Sequence, residues 1–170
     1  MTPPGRAGIM VVGIGNPDRG DDGVGLRIAS RLAGRLPPGV RLVVRGGDML
    51  GLVQDWAAYD ALICVDAAAP MGQPGRIHRL DAAGGQLPPG VSLTSSHAFG
   101  LAEAIALARE LQLLPRTVAV YALEGACFDA GAPMSLEVAA AVDGVAELII
   151  EEILGLRAAQ IDAPRPEPGI

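Results

Sequence analysis

The apolar positions change period repeatedly along the chain, from the continuous runs of buried strands to the four-residue steps of helices. The run "IMVVGIG" predicts a parallel strand buried on both faces and ending at Gly13 and Gly15. From Asp22 to Leu36, Val24, Ile28, Leu32 and Leu36 form one helical face, while Arg27, Arg31 and Arg35 form a stripe read as a solvated surface. "VRLVV" predicts a second strand, followed by a short helix over Asp48 to Tyr59 with Asp48 as its cap. "ALICVDA" is a third, buried strand that ends at Asp66.

"GRIHRL" alternates and predicts an edge or hairpin strand, with His78 facing solvent. A helix over Ala98 to Leu111 and the strand "TVAVYAL" come next. A final helix is capped by Ser135, its buried face being Val138, Val142, Val145, Ile149 and Ile153, and its end is expected at Gly155. The reading is one α/β domain over residues 1–155 and a flexible, Pro- and charge-rich tail over 156–170.

Strands that alternate with helices predict a mostly parallel, doubly wound sheet with helices on both faces. Right-handed crossovers place the third strand beside the first, on the side away from the second. The crevice at that reversal, at the strands' carboxyl ends, is where such sheets bind ligands.

Composition changes this picture little. Half the residues are apolar, few are aromatic, and the net charge is −6, which gives a nucleic acid or an anionic membrane no basic surface to meet. No apolar run is long enough to span a bilayer, and "MTPPGRAG" lacks the build of a signal peptide. Cys64 and Cys127 form no metal-binding spacing. A cytoplasmic, reduced, monomeric protein is expected.

The chemistry gathers at strand ends. "VVGIGNPDRGDDGVG" opens like a dinucleotide-binding turn, but Asp18 stands where the third glycine belongs and Pro17 removes an amide. With Asp21 and Asp22 also present, a phosphate would meet like charge, so no nucleotide is expected. A carboxylate at the helix start can also simply cap it. Asp22, Asp66 and the loop residue His97 are all predicted at one edge of one sheet. Two oxygen donors and an imidazole suit a divalent metal such as nickel or zinc. Neither an elbow serine nor a paired cysteine offers a nucleophile, although Cys127 is in a loop and Glu124 ends the last strand as a further candidate carboxylate.

At these positions the chain resembles the hydrogenase maturation proteases, the HyaD/HybD-like endopeptidases. "GIGNPDRGDDGVG", "ICVDA", "SSHAFGL" and "LEGACFDAGAPMSLEVAAAV" carry the resemblance, in the family's order. It implies that Asp22, where many members have Glu, together with Asp66 and His97 are the metal-binding and catalytic residues. It further implies that the partner is the immature [NiFe]-hydrogenase large subunit, that nickel arrives already loaded in it, and that one peptide bond near its C-terminus is hydrolysed. Arg45-Gly46-Gly47-Asp48 departs from the Asp-Gly-Gly-Thr of many members, a segment associated with substrate discrimination. The competing reading is a non-catalytic, nickel-sensing adaptor for the same subunit.

Overall fold

A computed structural model describes residues 6–84, 91–93 and 99–162 of the chain. Five strands, β1 (Ile9–Ile14), β2 (Val40–Arg45), β3 (Ala61–Ala68), β4 (Ile77–Asp81) and β5 (Thr117–Glu124), form one sheet in the order β2-β1-β3-β5-β4. All neighbours run parallel except β4, which lies antiparallel on β5 at the edge. The strand order therefore reverses between β1 and β3, as the crossover rule requires. β1 and β3 are buried along their whole length, which explains their unbroken apolar runs.

Helices α1 (Val24–Leu32) and α4 (Leu136–Asp162) cover one face of the sheet. Helices α2 (Met49–Trp56) and α3 (Leu101–Glu110) cover the other. Asp48 caps α2 by accepting the Gly51 amide at 2.9 Å. No helix among the described residues is long and apolar enough to cross a membrane.

Two elements depart from the sequence pattern. A 3₁₀ turn over Gly20–Gly23 stands where α1 was expected to start, so the acids sit in a tight turn ahead of the helix. Arg31 and Arg35 are exposed, as read, and form surface ion pairs with Asp143 and Glu147 of α4, contacts that contribute little to stability. Helix α4 runs through Gly155 to Asp162, and Leu156 still packs against the core. An exposed helical Gly weakens a helix by only about 1 kcal/mol, too little to end one whose next turn is anchored.

The turn that carries the acids is held from two sides. Its first anchor is Gly25, where a Cβ would stand 2.3 Å from the Ile14 carbonyl oxygen and 2.5 Å from that of Val65. Helix α1 thus rests on the backbone at the ends of β1 and β3. The second anchor is Asp21, fully buried, whose carboxylate accepts the amides of Ala126, Cys127 and Ser135 and the Ser135 hydroxyl, at 2.7–3.0 Å. Backbone bonds from Asp21 N to Cys127 O and from Gly131 N to Asp18 O complete the seam. The loop between β1 and α1 and the loop between β5 and α4 are thereby one unit. Ser135 does precede α4, but its hydroxyl is donated to Asp21.

Two predictions follow from these anchors. Gly25→Ala should destabilise the protein by about 3 kcal/mol, read from its urea midpoint, because the atoms in the way are backbone. Burial pushes the Asp21 carboxyl up, but the hydrogen bonds from Ala126, Cys127 and Ser135 outweigh it and hold the group below its ordinary value. That stability is fully present above the unfolded-state pKa, about 4, and is lost as pH falls through the lower folded value. Asp21→Asn should therefore lose about 2–3 kcal/mol at neutral pH, the difference from wild type narrowing below about pH 4.

Candidate functional site

β1 leaves the sheet early, and this opens the site. Its ladder with β3 ends at the pair Gly13 and Val65, so Asp66 is the first residue of β3 beyond it. The chain from β1 then turns at Gly15, whose φ of +144° favours glycine and whose Cβ would lie 1.8 Å from the Asp22 carbonyl oxygen. The glycine lets the turn fold back on itself and set Asp22 into the space beside Asp66. The Asn16 amide donates to Asp22 Oδ2 at 3.2 Å.

Both carboxyls are removed from solvent, Asp22 being 5% and Asp66 2% exposed. Burial pushes the Asp66 carboxyl well above the usual range. The hydrogen bond from the Ala67 amide to Oδ1, at 2.8 Å, pulls it back only in part, and the Asp22 charge adds to the rise. Two carboxyls are therefore buried together at the crevice where the strand order reverses, with Asp66 driven towards its neutral form. The donor set is of hard oxygens, suited to a divalent cation.

The structure thus brings together Asp22 and Asp66, two of the three residues expected from the sequence. His97, with Ser95 and Ser96, lies outside the described residues, and among those described no cluster of three metal-ligating side chains occurs. Asp18 is exposed except for an Asx turn in which its amide donates to Asn16 Oδ1 at 2.9 Å, and its carboxylate makes no bond to the buried pair.

The remaining candidates have structural tasks or unexpected positions. Glu124 is buried, and its Oε1 accepts the Met71 and Gln73 amides at 2.6 Å, so it fastens the β3–β4 loop instead of facing a substrate. Cys127 belongs to the seam that holds Asp21, through both its amide and its carbonyl. Cys64 is enclosed in the core, where burial, reinforced by the charge of Asp66, drives its thiol far above the ordinary range.

His78 lies on the edge strand β4 and is half-buried, with its Nε2 buried and without a hydrogen-bond partner. Beside the acid turn, an open cleft of about 520 Å³ runs between Pro17, Gly23, Arg27 and Ser30 on one wall and Pro133 and Met134 on the other.

The fold and sequence place this site among known proteins. A family model described as HycI, hydrogenase maturation protease, matches residues 26–152. Asp66 and His97 fall within that span, and Asp22 precedes it. No curated protein matches the chain by sequence. Among solved structures, the hydrogenase maturating endopeptidase HybD from E. coli shares 23% identity over 87% of this chain and 93% of its own, with a TM-score of 0.72. A [NiFe] hydrogenase maturation protease HycI from Thermococcus kodakarensis shares 26% identity over 88% and 94% of the two chains, with a TM-score of 0.70. With the family model matched over well over half its length, on the doubly wound sheet those structures share, the chain belongs to the hydrogenase maturation protease family and is a peptidase.

Proposed function

We propose that the protein is the endopeptidase that removes the C-terminal extension of a nickel-loaded [NiFe]-hydrogenase large-subunit precursor, recognising the nickel through Asp22, Asp66 and His97. The observation that carries this reading is the burial of Asp22 against Asp66 at the switch point, two oxygen donors side by side at which a divalent cation can take the place of a proton. In favour of the same reading, Leu93 is bridged to Ala68, two residues beyond Asp66, and α3 starts at Leu101, so the described residues on either side of His97 in the sequence are a sheet bridge beside Asp66 and a helix start.

The cation comes with the precursor and belongs to the substrate. When held there it supplies a polarising positive charge next to the scissile amide. The chain's own part is to position and to move a proton. Asp66, its Oδ1 fixed by the Ala67 amide, serves as the general base. As water oxygen bonds to the carbonyl carbon, the water proton passes to the carboxylate and from there to the departing amine as the C–N bond breaks. Asp22, fixed by the Asn16 amide and by its place in the 3₁₀ turn, orients the cation.

The test is to incubate the purified protein with nickel-loaded and with nickel-free precursor and to weigh the large subunit by mass spectrometry. Loss of a C-terminal fragment from the nickel-loaded form alone is expected, whereas an intact complex would make the protein an adaptor. Asp22→Ala and His97→Ala should abolish cleavage with unchanged circular dichroism. Asp66→Asn should also abolish it, yet stabilise the metal-free protein at neutral pH by about 1–2 kcal/mol, because burial drives Asp66 towards its protonated form and taking up that proton opposes folding above about pH 4. Full cleavage by any of the three variants would remove the site assignment.

A further inference from the structure

His78 is half-buried, with an unpartnered, buried Nε2 that the reading above leaves without a task. Its place in the sheet suggests one. Asp66 of β3 is in register with Ala122 of β5, and Ala122 is in register with His78 of β4. The three residues form one row across adjacent strands. They share a face, because Cys64, Val120 and Leu80, each two residues away along the same strands, all pack into the core beneath α2 and α3.

Neighbouring strands lie about 4.8 Å apart, so Asp66 and His78 stand about 10 Å apart at their Cα atoms. The residue between them in the row is Ala122, fully buried, whose side chain is a methyl group. A carboxyl and an imidazole on either side of so small a side chain are within the span of one bridging water. The orphaned Nε2 supplies one end of such a bridge. A buried ring nitrogen without a partner is unfavourable by about 1–3 kcal/mol, so its retention calls for an explanation.

We propose that His78 is a positioning residue for Asp66, its imidazole joined to that carboxyl by water across Ala122. The bridge fixes the orientation of the Asp66 side chain from the side opposite the Ala67 amide. The role in processing rests on the reading of Asp66 as a residue of the peptidase site; the link between the two side chains does not.

The chain has two histidines, so the ring ¹⁵N spectrum of the metal-free protein is simple to assign with a His78→Gln sample. The His78 ring resonances should move in Asp66→Asn and in Ala122→Val, which fills the gap without touching either partner. Unmoved resonances in both variants would overturn the proposal.

In the processing assay, His78→Leu should lower kcat about tenfold with KM little changed, a magnitude usual for residues that orient a ligand from behind. His78→Gln, which keeps a hydrogen-bonding group, should recover most of the loss. A His78→Leu protein with an unaltered urea midpoint and full kcat would also overturn the proposal. If Asp66→Asn cleaves normally while the His78 resonances still respond to it, the site reading fails and the link stands.

Discussion

Helix α1 meets the sheet through backbone contact at its first turn, with Val24, Ile28 and Leu32 packing into the core beyond it. The ridge of the helix at Gly25 lies on the carbonyl oxygens of Ile14 and Val65, nearer than any Cβ would permit. That closeness fixes the height of the turn before the helix and hence the depth at which Asp22 enters the crevice. Were the helix lifted by one methyl group, Asp22 would rise towards solvent and the charge pair would part. The glycines of the opening motif look like a nucleotide cradle because close approach of a helix to a strand end needs the same residues in both cases. What differs is the tenant, and the acids decide it.

The four buried carboxyls of the structure divide by how they are satisfied. Asp21 and Glu124 are surrounded by backbone amides, and each ties a loop to the sheet edge. Asp66 has one amide and a carboxylate neighbour, and burial pushes it towards the protonated form. A carboxylate that accepts several N–H bonds is a structural fastener, stable when charged. One buried beside a like charge, as Asp66 is beside Asp22, is driven towards its neutral form. Adjacent positions of one motif thus have different neighbours: Asp21 the amides of the β5–α4 loop, Asp22 the Asn16 amide and Asp66.

Much of the fold was legible. Continuous apolar runs identified β1 and β3, the crossover rule gave their adjacency, and the switch point followed. The strand-end position of Asp66 and the acid turn pointed to one edge, and both residues are there. What could not be read was how Asp21 and Asp22 share the work, because a 3₁₀ turn sends consecutive side chains in different directions. Glu124 was read as a candidate for the substrate because its place at a strand end matches that of Asp66. Only the loop amides that reach it distinguish the two. His78 is on the edge strand as read, but the burial of its Nε2 could not be read, since alternation says which side a residue is on and nothing of what lies against each atom. The end of α4 depended on the anchoring of Leu156, a tertiary contact that overrides the local preference of Gly155.

A site built this way stores its specificity in an unfavourable resting state. Rigid anchors on either side prevent the acid turn from relaxing outward: the Gly25 contact beneath it and the Asp21 seam beside it. Burial, with Asp22 held in place beside it, keeps Asp66 shifted towards its neutral form, and in the proposed reading a cation takes the place of that proton. On that reading a neutral peptide gains nothing from the pair, whereas one that carries a divalent cation does. Discrimination between loaded and unloaded forms of the precursor then needs no separate sensor, since the binding free energy itself contains the charge of the cargo.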